Sequence, residues 1–125
     1  MAKLGLESTI IDRGVYQNTV GRFREAGIVL PKLSELFDPQ TIPDAITNAL
    51  ADVDPMAPHP LNLFRVHWYN GADYKSRVSQ PEYLVLPSSL TGVAAPIIVV
   101  SGRTFPMIRA HKVLAAYGCL APRVI

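Results

Sequence analysis

Proline sets the tightest limits on what this chain can build. Eleven prolines among 125 residues each fix φ and remove a backbone donor, and most stand at joints between candidate elements. The densest group is Pro55, Pro58 and Pro60 in VDPMAPHP. It rules out helix or central strand over 52–60, and the segment reads as a crossing. The chain then divides into a helical N-terminal region, 1–60, and an α/β portion, 61–125.

Before the crossing, apolar residues recur at helical spacing. Ile11, Val15, Ile10 or Thr19, and Phe23 form one stripe, with Arg13, Gln17, Arg22 and Glu25 elsewhere, which predicts an amphipathic helix over 9–26. Ser8 is its expected N-cap and Gly27 its expected C′ residue. Gly14 and Gly21 each cost about 1 kcal/mol against alanine inside a helix, so this helix is expected to be held by docking. Pro31 opens a short helix over 32–37, broken by Asp38-Pro39. A third helix runs over 43–51 with proline in its first turn and Ile46, Ala49 and Leu50 on its apolar side.

After the crossing, Leu61, Leu63, Arg65 and His67 alternate with Asn62, Phe64, Val66 and Trp68, the period of a strand or extended ribbon. Arg65 and His67 then lie on one face, either solvated, hydrogen-bonded to a neighbouring loop, or turned together into a site. A polar loop over 70–80 follows, then a short strand over 82–86 and a turn over 88–92. The β-branched run 97–100 reads as a buried strand, Ser101-Gly102 breaks it, and 103–106 connects it to a helix beginning near Met107 and stopped by Gly118. This strand-loop-helix order is half of a βαβ unit in a mostly parallel sheet. Val124-Ile125 reads as the start of another buried strand whose sheet would be completed elsewhere, so a second polypeptide is expected.

Lys112 lies early in that helix between apolar side chains. Such a lysine either snorkels its ammonium to water or is a desolvated amine able to form a Schiff base with a carbonyl; spacing alone leaves both open. Arg103 and Arg109 flank the loop and are candidates for a carboxylate or phosphate. His111 is the neighbour of the lysine.

The totals exclude several classes. A net charge of +2 with no basic cluster argues against nucleic acid. Apolar residues at 49% and charged ones at 18% indicate a folded domain. No apolar run approaches the roughly eighteen residues that span a membrane, and the first residues carry no secretory signal, so the expected location is cytoplasmic. A single cysteine, Cys119, suits a reducing compartment and is expected to be a buried thiol at a helix end. His59, His67 and His111 lack metal-ligand spacing, so no metal is expected.

The stretch FPMIRAHKVLAAYGCLAPR, with PHPLNLFRVHWYN and PEYLVLPSSLTGV before it, resembles a cysteine-synthase-like group of pyridoxal-phosphate enzymes of fold type II. That superfamily includes tryptophan synthase β and threonine synthase. The resemblance covers about 6–125 and implies that Lys112 holds the cofactor as a Schiff base, with an amino acid as substrate. The chain has Ala110-His111 where many members carry serine and an apolar residue. The family's Ser/Thr-x-Gly-Asn loop and its glycine-rich phosphate loop do not occur in this sequence. The resemblance therefore implies an incomplete piece of the fold type II architecture, finished by a second chain in an oligomer. A reading of another class is a non-catalytic binding or assembly subunit.

Overall fold

Asp12 decides where the first helix begins. Its carboxylate accepts from the backbone N–H groups of Gly14 and Val15 at 2.8 and 3.0 Å, filling two of the donors a helix start leaves open. Helix α1 therefore spans Arg13–Glu25, later than the sequence pattern suggests. The computed structural model describes residues 9–124, with side chains through 121; Ser8 and Ile125 lie outside them. Gly27, at φ 62°, ends α1 as expected: Ile28 N–H bonds the Phe23 carbonyl and Gly27 N–H that of Arg24, the paired closure that a left-handed residue permits. The stripe is rotated from the expected one. Tyr16, Thr19, Val20 and Phe23 are half-buried, whereas Ile11 and Val15 are exposed.

Helix α2 is Leu33–Phe37 and α3 is Asp44–Ala51, close to expectation, with a 3-10 turn at Pro39–Thr41 between them. The Glu35 carboxylate accepts from Lys32 N–H at 2.8 Å and closes the start of α2. Ile42, Leu50 and Phe64 form the central apolar cluster, with Ile46 and Leu61 packed against it. Pro31, Pro39, Pro55 and Pro106 are buried, so several joints are also packing units.

The expected strand over 61–68 is not formed. Pro60–Arg65 is a 3-10 helix, opened by His59, whose Nδ1 accepts from Leu61 N–H at 3.2 Å. The tight turn carries Asn62 and Arg65 inward. The Arg65 guanidinium donates to the carbonyls of Leu50 at 2.7 Å and Val53 at 3.1 Å and to Asn62 Oδ1 at 2.6 Å. Asn62 Nδ2 donates to the carbonyls of Asp54 and Ala57, and Asn70 Nδ2 to those of Arg65 and His67. Asn62, Arg65, His67 and Asn70 are all buried. Alternation gave a false strand because the polar residues here face inward as hydrogen-bond donors.

Strands β1, Tyr83–Leu86, and β2, Ile97–Val100, pair antiparallel from Tyr83 opposite Val100 to Leu86 opposite Ile97. A single helical turn, α4, Ser88–Thr91, lies between them. Among the described residues the sheet has these two strands. Seven of their eight residues are exposed, Leu86 being half-buried, so the run expected to be a buried strand is open. The last helix, α5, is Lys112–Val124. It starts later than expected because Met107 and Arg109 have φ of 60° and 51°, outside the helical region. It also runs past Gly118, so Val124 is helical rather than the start of a strand. Cys119 is exposed within α5, not a buried thiol at a helix end. Among the described residues no helix is long and apolar enough to cross a membrane.

Arg65 supplies the donors for two buried acceptors and one part-buried one. Replacing Arg65 by Met is expected to lower unfolding free energy by about 3 kcal/mol, since each unsatisfied buried acceptor costs roughly 1–3. Urea denaturation measures this, and a loss under about 1 kcal/mol would contradict the role given to the guanidinium.

Candidate functional site

Residues 101–111 form the loop that delivers Lys112 to the head of α5. Thr104, Phe105 and Pro106 are buried within it and anchor it to the body of the protein. Trp68 meets the Phe105 ring edge-on at 5.1 Å between centroids and stacks on the His111 ring at 5.4 Å, so one indole holds the middle of the loop and its last residue. Where the loop closes, a Cβ at Gly102 would fall 2.8 Å from the His111 backbone nitrogen; only glycine permits that approach. The Thr104 hydroxyl is buried without a hydrogen-bond partner.

The predicted site residues meet different surroundings. Lys112 is the first residue of α5 and is exposed. His111 precedes the helix and has one ring face covered by Trp68. The Arg103 guanidinium grips the Glu82 carboxylate with two nitrogens, Nε to Oε2 at 2.7 Å and Nη2 to Oε1, which holds the Glu82 carboxyl below its usual range. Ser101 N–H also bonds the Glu82 carbonyl at 2.9 Å, so the end of β2 and the start of the loop are fixed to the strand beside them. Arg109 lies 5.6 Å over the Tyr74 ring. Both arginines lie in the loop, and each is engaged within the protein. The close contact at Gly102 brings the Arg103 end of the loop beside His111.

A pyridoxal-phosphate site needs an amine, a cup of donors for the phosphate and a support for the ring. Lys112 fits the first requirement, an exposed amine at the first position of α5 behind the anchored loop. Among the described residues no His, Cys, Asp and Glu group is arranged to hold a metal ion.

A second polar cluster brings Arg65 and His67 together, as one sequence reading allowed, but in the interior. His67 is 1% exposed, and its Nδ1 accepts from Tyr69 N–H at 3.1 Å, which leaves the proton of the neutral ring on Nε2. Burial, reinforced by the charges of Arg77 and Arg65, pushes His67 down to about 4. Arg77, which sequence reasoning missed, reaches back to the Pro39 carbonyl at 2.5 Å and to Thr47 Oγ1 at 2.6 Å. Its contacts lie 38 and 30 residues back along the chain, and no local pattern signals them.

The buried His67 gives stability a pH dependence of fixed sign. In the unfolded chain it takes a proton near 6.5, whereas in the fold it stays neutral to about 4. Between these values the unfolded state binds more protons, so stability falls as pH drops from 6.5 towards 4, by about 3 kcal/mol in all. Urea denaturation across this range is expected to show the decline, and His67→Gln to flatten it. A His67 ring that titrates at or above 6.5 by NMR would contradict this account.

Comparison with protein-family models, with curated proteins and with solved structures finds no match, so the site is read from its own residues.

Proposed function

We propose that this chain is the lysine-bearing part of a pyridoxal-phosphate enzyme that carries out elimination or replacement at Cβ of an amino acid, with Lys112 as the amine that holds the cofactor. The observation that supports the reading most directly is the presentation of Lys112. A buried anchor at 104–106, the Trp68 clamp and the Gly102–His111 contact hold the loop, and among the described residues Lys112, just after it, is exposed with no side-chain bond. The cofactor, when bound, draws electrons from the substrate's α-carbon. Lys112 Nζ takes and returns the proton at that carbon. A second polypeptide supplies the phosphate cup and the substrate-carboxylate loop, in an oligomer of the reducing cytoplasm.

The exposed ribbon fits this division of labour. Tyr83, Leu84, Val85, Ile98, Val99 and Val100 are each more than a third exposed, and apolar surface of this kind marks a covered interface. The same ribbon favours the alternative, a non-catalytic assembly subunit that uses it to hold a partner.

The two readings part at Lys112. The assembled protein is expected to gain a visible absorbance band with pyridoxal phosphate and to release a 2-oxo acid from a β-substituted amino acid. Lys112→Ala is expected to remove the band and lower turnover at least about a hundredfold. Full turnover in that variant contradicts the catalytic reading. An assembly that forms without cofactor, shows no band and has no activity supports the assembly subunit instead.

A further inference from the structure

Beneath the turn at 70–77 lies a cavity of about 300 Å³ that takes no residue from the Lys112 loop. Its floor includes Arg65, His67 and Asn70, which are 4%, 1% and 3% exposed, and its exposed rim includes Lys75, Ser76 and Arg77. Leu50 and Phe64 supply apolar wall. We propose that this cavity is a binding site for a small oxyanion, a phosphate or carboxylate group, held by Arg65, Lys75, Arg77 and the Nε2–H of His67.

Donors and charge both favour an anion here. Three cations line the cavity and none of its lining residues is acidic. Among the described residues the salt bridge formed is Arg103 with Glu82, so Arg65 and Arg77 have no carboxylate partner there. Arg65 is buried with backbone carbonyls and one amide oxygen as its hydrogen-bond acceptors; Asp54 and Asp73 act on its charge through space without a hydrogen bond to it, and an anion in the cavity would meet that charge directly. Asp73, the acid nearest in sequence to the rim, directs Oδ1 to the N–H groups of Lys75 and Ser76 and to the Ser76 hydroxyl.

His67 adds an independent pointer. With Nδ1 accepting from Tyr69 N–H, its Nε2 carries a proton that meets no acceptor among the described residues, although the side chain is buried and lines the cavity. A donor on a residue that lines the cavity is open to an acceptor there, and the surrounding cations select an anionic one. The Asn70 carboxamide, fixed by its two donated bonds to the Arg65 and His67 carbonyls, holds the floor in shape. Size points the same way, since about 300 Å³ is at the small end of ligand pockets.

Titration of the full chain with inorganic phosphate, and separately with succinate, at ionic strength balanced by chloride and followed by amide and imidazole NMR, tests the proposal. Saturable shifts at His67 and Asn70 are expected, with affinity about tenfold weaker in Lys75→Glu and in Arg77→Gln. Saturation by phosphate alone assigns a phosphate-bearing ligand, by succinate alone a carboxylate-bearing one, and by both an oxyanion site that accepts either; each supports the proposal. Lys75 is exposed and makes no side-chain hydrogen bond among the described residues, so its variant decides the matter if Arg77→Gln fails to fold. No saturation with either probe, or affinities unchanged by the charge reversal at Lys75, would overturn it.

Discussion

The inward-turned guanidinium of Arg65 is the constraint on which the centre of this structure depends. It gathers the C-terminal end of α3, the start of the proline-rich crossing and the 3-10 helix around one group. Without it, the irregular backbone over 50–65 would bury carbonyls that neither helix nor sheet satisfies. Asn62 and Asn70 extend the same solution by one turn on either side. A small apolar cluster of Ile42, Leu50 and Phe64 can therefore be supported by segments that have almost no regular secondary structure.

From this centre a rigid path leads to the lysine. Trp68 follows the 3-10 helix by three residues and carries its position to Phe105 and His111 through ring contacts. The Arg103–Glu82 grip ties the other end of the loop to the strand pair. Lys112 is left at the boundary between a fixed loop and solvent. In the proposed function this exposed amine is one half of a site that a second polypeptide completes. The cation-lined cavity under 70–77 draws on the same Arg65, so one guanidinium serves both packing and, in the proposal, binding.

Local features were legible in the sequence where short-range chemistry decides them. Helices α2 and α3, strand β2 and the turn closed by Gly27 follow from proline, glycine and β-branched placement. That Lys112 belongs to a helix after a strand and a loop was legible too, but not that it opens that helix. Residues 61–68 were not. Their alternation is compatible with a strand, and the choice of a 3-10 helix comes from acceptors as far as Leu50, fifteen residues away. The late start of α5 depends on left-handed backbone at Met107 and Arg109, residue types with no preference for it. The cavity was equally hidden, because Arg77 enters it through contacts with Pro39 and Thr47.

The central claim is that one particular amine carries the chemistry, and covalent trapping tests it most directly. The chain has four lysines, Lys3, Lys32, Lys75 and Lys112. Borohydride reduction of the assembled protein with pyridoxal phosphate, followed by intact-mass measurement and peptide mapping, reports which of them is modified and whether a second polypeptide accompanies the chain. The account predicts one pyridoxyl group per chain, on Lys112, with a second polypeptide present. An adduct spread over the other lysines, or none at Lys112, would contradict it.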